Sequence, residues 1–429
     1  MNTCLKFIII FIYFTILLSC NNSTENKPVK NESKENKQDE KPKRQAETSP
    51  VNFNSLDFNF VSQLIHLNKD SGIDFSLQIP EGYKITVAYQ GMNRPRFMAK
   101  SPDGKLITAD MINKEDNKKG VIIWFKNWND KTKTFESTDT LLKNLHNPNQ
   151  AAFHTFDGKD YFFVAETEKL TRYDYTQGTT FEIKNPKVIA TFPDYGLSYK
   201  YGGWHLTRSL AFHNNKVYVS VGSSCNACIE KEKVRATILE MNIDGGEQKI
   251  YSSGMRNAVG IDFIGDALYA TNMGEDKLGE DRPEDQFLKV ERDKNYGWPF
   301  YYQYQNTIYE NSKFTKQADS LAYKKGSIPL ALCGFKAHSA PLGFEFLNNF
   351  EGELNNSILV CLHGPVVIKE HKGYNIVKIN ATGYQEIIKG FLQGKLKYGR
   401  PCDILQWDSS SFFFTDDHNG ILYYVWKPS

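Results

Sequence analysis

The chain has 429 residues, a formal charge of +2 at pH 7 and an aromatic content of 14%. The near-neutral charge, with no long block of one sign, argues against nucleic acid as a partner. Seven cysteines in a chain of this length exclude a disulfide-dense scaffold, and the aromatic content is typical of a strand-rich domain.

The first 19 residues predict a signal peptide. Lys6 provides the basic start, residues 7–18 are apolar, and Ser19 and Cys20 complete a lipobox. The apolar run is shorter than the roughly 20 residues that a membrane-spanning helix needs. We therefore expect cleavage before Cys20 and a lipid on its thiol, which makes the mature protein an exported lipoprotein anchored to a membrane. An uncleaved anchor helix is the alternative.

Residues 20–50 predict a lipidated cysteine followed by a disordered tether. They consist largely of Asn, Ser, Lys, Glu, Gln and Pro, so they cannot bury enough apolar surface to offset the entropy of ordering. Residues 51–429 are then the folded body.

A Cys-x-x-Cys motif is formed by Cys225 and Cys228. No His follows it, which argues against covalently attached haem, and a zinc site lacks a second ligand pair. In an exported protein the motif favours a local disulfide.

A phrase recurs along the folded body: a polar or basic residue, an apolar strand, a tight turn and a second alternating strand. Six copies cover residues 94–110, 146–165, 205–221, 256–270, 338–346 and 400–414. This repeat predicts an all-β fold, a six-bladed β-propeller, with an insertion over much of residues 275–337. A β-sandwich is the alternative, because alternation alone does not require the strands to close into a ring.

The residues that open the six copies are predicted to meet at one mouth of the central channel. They are Arg94 or Arg96, His146, His205, Arg256 with Asn257, His338 and Arg400. Converging cations and imidazoles predict an anionic ligand, such as pyrroloquinoline quinone (PQQ) or a phosphorylated or acidic sugar. Each of these residues taken alone also has a purely structural interpretation.

Several motifs follow one another in order within residues 79–427. They are GWHLTRSLAF at 203–212, VGSSCN at 221–226, SGMRNAVG at 253–260, ATNMGED at 270–276, NYGWP at 295–299, HSAPLG at 338–343 and GRPCD at 399–403. Together they resemble the glucose/sorbosone dehydrogenase family, with the sorbosone dehydrogenase branch closest.

The resemblance implies roles for four residues. His205 matches the general base that takes a proton from the sugar, and its imidazole titrates in the range that such a step needs. Arg256 and Asn257 match the pair that contacts the quinone oxygens, with Arg256 stabilising the charge that develops during reduction. Arg400 matches an arginine that holds a cofactor carboxylate.

The resemblance also implies a calcium ion beside the quinone, bound through the backbone carbonyls of Gly274 and Glu275. The acidic residues 280–285 either add ligands or form a solvated loop.

Three positions depart from the family pattern. Ser223 stands where the glucose enzymes have the acidic residue that orients the base, and Ala258 replaces a proline. The glucose enzymes supply a cation on the fifth blade. Here the apolar stretch at 363–368 stands at that place, and Lys369 and Lys372 are the candidate substitutes.

The expected activity is PQQ-dependent oxidation of an aldose or sugar aldehyde, with electrons passed to an external acceptor. A non-catalytic carbohydrate-binding propeller and a calcium-dependent lactonase are the alternatives. The basic ring argues against the lactonase, which needs acidic side chains around its metal.

Overall fold

A computed structural model describes residues 51–68, 72–194, 205–318, 320, 324–368 and 372–428. The predicted signal peptide, Cys20, the tether and Lys369 lie outside the described residues. The compact unit is Ser49–Ser429. Within the described part of the chain, no helix combines the length and the apolar character that crossing a membrane requires.

The described residues form strands β1 to β30, which alternate with tight turns. Three strands precede the first repeat: β1 (Phe60–Leu67), β2 (Ile73–Pro80) and β3 (Lys84–Gln90). The first repeat forms β4 (Pro95–Lys100), β5 (Leu106–Asp110), β6 (Gly120–Asn129) and β7 (Thr134–Leu145). The second forms β8 (Gln150–Phe156), β9 (Lys159–Ala165), β10 (Lys169–Thr176) and β11 (Glu182–Thr191). The third forms β12 (Leu210–His213), β13 (Lys216–Val221), β14 (Thr237–Asn242) and β15 (Lys249–Ser253).

The fourth repeat contains the insertion. Its first three strands are β16 (Ala258–Ile264), β17 (Ala267–Asn272) and β18 (Asp285–Val290). A hairpin and a short helix then intervene, namely β19 (Tyr301–Tyr304), β20 (Thr307–Glu310) and α1 (Thr315–Ala318). The fourth strand of the sheet is β21 (Cys333–Phe335). The predicted insertion thus separates the third and fourth strands of one blade.

The last two repeats follow. The fifth forms β22 (Pro341–Leu347), β23 (Ser357–Leu362), β24 (Asn375–Asn380) and β25 (Gly383–Ile388). A small hairpin, β26 (Leu392–Gln393) and β27 (Leu396–Lys397), leads to β28 (Pro401–Gln406), β29 (Ser411–Asp416) and β30 (Ile421–Trp426). Three 3₁₀ helices in the described residues are Ser312–Phe314, Lys325–Ser327 and Gly352–Leu354.

Each repeat is one four-stranded antiparallel sheet, so the fold is the predicted six-bladed β-propeller. The ring closes in the sixth blade, where β3 from the start of the body pairs with β30 from its end. The inner strands contact one another around the channel in the order β4, β8, β12, β16, β22 and β28, and β28 returns to β4. This pairing joins the two ends of the folded body in one blade and places the six predicted inner strands around one axis.

Candidate functional site

A cavity of about 200 Å³ lies at the end of the channel where the chain enters the inner strands. Its polar lining consists of Arg94, Arg96, Lys114, His205, Thr207, Asn257 and His363. Met111, Leu206, Val259, Met273 and Leu342 supply the apolar wall. Of the residues predicted to converge here, Arg94, Arg96, His205 and Asn257 reach this channel cavity.

A buried carboxylate holds the cations of the channel cavity together. Asp417 Oδ2 lies 2.6 Å from Arg94 Nη2 and 2.7 Å from Arg96 Nη1, while its Oδ1 lies 2.6 Å from His363 Nε2. Burial alone would raise the pKa of Asp417, but the hydrogen bond from His363 and the two guanidinium charges hold that pKa well below its ordinary value. Asp417 is therefore ionised.

His363 takes part as a neutral imidazole. Burial, with the nearby charge of Arg400, lowers the pKa of His363 to about 3. An ionised carboxylate can only accept, so Nε2–H donates to Asp417. The sequence placed His363 in an apolar stretch that lacked the expected cation; the structure puts its side chain at the cavity wall.

The orientation of the His205 ring follows from one hydrogen bond. Its Nδ1 lies 2.9 Å from the Ser223 carbonyl oxygen, which can only accept, so Nδ1 carries the proton. Ser223 Oγ is also 2.9 Å from Nδ1, and that hydroxyl donates to the Cys225 carbonyl oxygen at 2.7 Å. In this tautomer Nε2 is the basic nitrogen of the ring.

The basicity of His205 is weakened by its surroundings. Burial and then the positive charge of Arg256 lower its pKa well below 6.5, against the opposing hydrogen bond to Ser223. Ser223 offers a neutral carbonyl and hydroxyl where a carboxylate would stabilise the imidazolium. The ring is consequently neutral at neutral pH and able to act as a base.

Gly222 allows His205 and Asn257 to approach each other. A Cβ at this position would lie 2.5 Å from Asn257 Oδ1 and 2.5 Å from His205 Cβ. Only a residue without a side chain fits at that distance. The glycine of the VGSSCN motif therefore brings the base and the amide to the same wall of the cavity.

Arg256 does not line the channel cavity in this structure. Its Nε and Nη2 donate to the Asn226 carbonyl oxygen at 2.8 Å and to Asn226 Oδ1 at 2.9 Å. Nη1 donates to the Gly274 carbonyl oxygen at 2.8 Å, and Nη2 also lies 3.1 Å from Asp276 Oδ2. The positive charge of the Arg256 guanidinium nevertheless lowers the pKa of His205.

The loop that holds Arg256 is closed by a disulfide. Cys225 and Cys228 are bonded, with their Cα atoms 6.2 Å apart. Asn226 inside this loop also accepts from the Asp276 backbone N–H at 2.8 Å and donates Nδ2 to the Asp276 carbonyl oxygen at 2.7 Å. The disulfide loop therefore holds both the Arg256 cation and the Asp276 acid near His205.

Gly274 and Glu275, the predicted calcium ligands, have other partners here. The Gly274 carbonyl oxygen accepts from Arg256, and the Glu275 carboxylate accepts from Asn311 Nδ2 at 2.7 Å and pairs with Lys313. A cationic guanidinium against the carbonyl repels a second cation. As arranged, the Gly274 carbonyl does not fit a calcium ion, and calcium at this place stays a prediction that requires Arg256 to move.

His146 was expected at the channel mouth but lies outside the cavity. Its two ring nitrogens face the carboxylates of Asp116 and Glu168. Asp116, His146 and Asp194 place potential ligand atoms within 4.8 Å of one another. Because both ring nitrogens already have carboxylate partners, His146 is satisfied within an ion-pair cluster.

Two further predicted ring members are also engaged elsewhere. His338 Nε2 donates to the Gly279 carbonyl oxygen at 2.9 Å. Arg400 donates to the carbonyl oxygens of His363, at 3.1 Å from Nε, and Gly364. Neither side chain is part of the cavity lining. The positive charge of Arg400 nevertheless lowers the pKa of His363, which is part of that lining.

The chain matches a known protein family in sequence and several solved structures in fold. The profile of the TrAA12-like family matches residues 77–389. The fold is similar to the holo PQQ domain of pyranose dehydrogenase from Coprinopsis cinerea, with a TM-score of 0.63, 15% identity and coverage of 82% of this chain and 97% of that one. It is also similar to the calcium structure of a Carbohydrate-Active Enzymes Family AA12 protein from Trichoderma reesei, with a TM-score of 0.65, 15% identity, and 82% and 96% coverage.

A third similar structure is the PQQ-bound aldose sugar dehydrogenase of Streptomyces coelicolor, with a TM-score of 0.54, 16% identity, and 81% and 99% coverage. An uncharacterized protein of Borreliella burgdorferi is 32% identical over 233 residues, which is 50% of this chain and 58% of that protein. The alignment thus spans little more than half of that relative's length.

The pKa of His205 provides a test of the site electrostatics. We expect nuclear magnetic resonance titration of labelled histidine to place it below 6.5, and Arg256→Gln to move it upward because a facing positive charge is removed. His205→Asn identifies the signal. Arg292→Gln is the matched control, since Arg292 pairs with Glu240 away from the cavity. An unchanged His205 titration in Arg256→Gln contradicts this electrostatic account.

Proposed function

Because the chain belongs to the TrAA12-like family, we propose that it is an oxidoreductase that oxidises a sugar with PQQ bound in the channel cavity. The observation that carries the proposal is the neutral His205 at the wall of a basic cavity, in the tautomer that donates Nδ1–H to a carbonyl and has Nε2 as its basic nitrogen. Similar structures include a PQQ domain of a pyranose dehydrogenase and a PQQ-bound aldose sugar dehydrogenase, which supports the same class.

The charge of the cavity fits the proposed cofactor. Arg94, Arg96 and Lys114 face it, whereas Asp417 supplies one ionised carboxylate, so the balance is positive. Arg96 is buried and donates to Asp417 and Asn149, and the more exposed Arg94 and Lys114 are the groups that would hold carboxylates of PQQ. Calcium is not assigned to Gly274 and Glu275 here, for the reason given above.

Residues of this chain have separate roles in the proposed reaction. His205 Nε2 takes the proton of the sugar hydroxyl, and the Ser223 carbonyl holds the ring in the tautomer that can do so. The apolar wall of Val259, Met273 and Leu342 limits the water around the reacting atoms. When bound, PQQ would supply the two-electron oxidation, and an external acceptor would take up the electrons.

The finer substrate proposal rests on the sequence resemblance. The motifs are closest to the sorbosone dehydrogenase branch, so we include a sugar aldehyde beside an aldose among the substrates. Asn257 lies on the same wall as His205, where its amide can bind a hydroxyl or carbonyl oxygen.

One observation favours a second candidate, a non-catalytic carbohydrate-binding propeller. Arg256 and the Gly274 carbonyl, which the resemblance assigns to cofactor and metal, are bonded to each other. A calcium-dependent lactonase gains no such support, because the cavity is lined by cations.

Dye reduction tests the oxidoreductase proposal. The purified protein, given PQQ and an aldose, is expected to bleach an artificial acceptor, and His205→Gln to lower kcat by about 10²- to 10⁴-fold, as for the loss of a general base. PQQ affinity should change little, because the cofactor's carboxylates are assigned to Arg94 and Lys114. His213→Gln is the control, since His213 lies in the third blade, stacks on Phe263 of the fourth blade and does not line the cavity.

If the protein does not bind PQQ, the carbohydrate-binding propeller becomes the favoured function. If His205→Gln binds PQQ and oxidises sugar at the full rate, His205 is not the general base.

We also propose that the protein is exported and lipidated on Cys20. The disulfide between Cys225 and Cys228 supports an oxidising compartment, since such bonds persist mainly outside the cytosol. Metabolic labelling with a tagged fatty acid is expected to mark the wild-type protein and not Cys20→Ser. Equal labelling of the two would contradict the lipid anchor.

A further inference from the structure

Three carboxylates surround the side chain of His146, which lies outside the channel cavity. Asp116 is on the loop between β5 and β6 of the first blade, and His146 immediately precedes the second blade. Glu168 is on the loop between β9 and β10, and Asp194 follows β11, the last strand of the second blade. We call these four residues the His146 cluster.

The atoms of the cluster are close enough to share one metal ion. Nε2 of His146 faces the Asp116 carboxylate, Nδ1 faces the Glu168 carboxylate, and Asp194 Oδ2 lies 3.8 Å from Nδ1. One potential ligand atom from each of Asp116, His146 and Asp194 lies within 4.8 Å of the other two. Two atoms bound to one zinc ion, each at about 2.1 Å, are at most about 4.2 Å apart, so small side-chain movements suffice.

The cluster concentrates negative charge in a largely buried place. Among the residues that the structure describes, neither Asp116 nor Glu168 forms an ion pair with a lysine or an arginine. The exposed fraction of the side chain is 11% for Asp116, 28% for Glu168 and 18% for Asp194. Burial of carboxylates without a cationic partner is unfavourable, and the exposed parts of Glu168 and Asp194 allow a cation to reach them.

One arginine offsets part of this charge. Burial and then the charge of Arg235 lower the pKa of Arg208 to about 9, against the opposing charges of Asp194 and Glu168. Three carboxylates and the Arg208 guanidinium together leave two negative charges around a neutral imidazole. A divalent cation would balance them.

The donor atoms favour a transition metal over calcium. Calcium and magnesium take oxygen ligands, whereas an imidazole nitrogen with carboxylate oxygens suits Zn²⁺. Glu168 then has a second role, since a histidine bound to a metal through one nitrogen commonly donates its other N–H to a carboxylate. Such a bond from Nδ1 to Glu168 directs Nε2 toward Asp116.

We propose that Asp116, His146 and Asp194 bind a divalent transition-metal ion and that Glu168 positions the imidazole. The ion binds at Nε2 in place of a proton, which passes to solvent. Because Asp116 belongs to the first blade and Asp194 follows the second, the ion joins the two blades. The site requires neither PQQ nor His205, so it does not depend on the proposed oxidation.

Calorimetric titration with Zn²⁺ tests this proposal. The full protein, without a histidine tag, is first treated with a chelator and kept free of reductant, so that Cys225 and Cys228 stay bonded to each other. One Zn²⁺ per chain is expected to bind saturably and to raise the melting temperature. Asp116→Ala is expected to abolish this binding, and Glu168→Ala to weaken it by about 10- to 100-fold.

Asp139→Ala is the matched control. Asp139 is an acid of the same blade as Asp116, it pairs with Lys126 at 2.8 Å, and it lies outside the His146 cluster. This variant is expected to bind Zn²⁺ as the wild type does. Asp194→Ala removes a second ligand, and melting temperatures verify that each variant folds.

The absorption spectrum of the Co²⁺-loaded wild type tests the ligands without any substitution. Nitrogen and oxygen ligands are expected to give only weak visible bands, whereas thiolates of Cys225 and Cys228 would add an intense charge-transfer band.

The outcomes are independent of the oxidation. Zn²⁺ binding that is lost in Asp116→Ala and Asp194→Ala, and kept in Asp139→Ala, supports the site whether or not the protein binds PQQ. The proposal is overturned by a lack of saturable Zn²⁺ binding, by equal binding in Asp116→Ala and Asp139→Ala, or by a thiolate charge-transfer band.

Discussion

The channel depends on one buried carboxylate, that of Asp417. It faces Arg94 and Arg96 from the first blade and His363 from the fifth, while its own strand belongs to the sixth. Removal of one partner from a buried ion pair commonly destabilises a protein by about 3–5 kcal/mol, because the other charge remains uncompensated. Without Asp417, the guanidinium groups of Arg94 and Arg96 would lose the carboxylate that they share.

The network continues from Asp417 through Arg96. Arg96 Nε donates to Asn149 Oδ1 at 3.0 Å, and Asn149 Nδ2 donates to Ser209 Oγ at 2.9 Å. Asn149 and Ser209 immediately precede the inner strands of the second and third blades. Buried, fully partnered groups of this kind fix a unique arrangement. The network thus joins the blades around the channel and presents Arg94 and Lys114 on its open side.

The repeat in the sequence was sufficient to predict the six blades and their inner strands. Each copy contains an alternating strand pair and a turn, and both depend on local sequence. The side chains at the mouth were predicted less well. The position of a residue before an inner strand sets where its backbone lies, but the side chain turns toward the strongest partner. His146 turns toward Asp116 and Glu168, which lie 30 and 22 residues away in the chain.

Other partners gave no signal in the sequence for the same reason. Asp417 follows the last residue of a strand and lies 321 residues from Arg96, so nothing local marks it as the centre of the site. In the sequence, nothing marked Asn226 as a partner of Arg256 except its position between Cys225 and Cys228. Its amide and backbone, held by the disulfide loop, keep the charge of Arg256 near His205 and make the base weak.

We propose that the channel cavity is an anion site for PQQ. Calorimetric titration with PQQ of the wild-type protein and of the double variant Arg94→Gln, Lys114→Gln is the experiment that decides this proposal. Lys119→Gln, an exposed position of the same loop that does not line the cavity, is the control. Saturable binding that weakens with salt, is lost in the double variant and survives in the control is the predicted result. Absence of binding, or binding that the double variant retains in full, would contradict it.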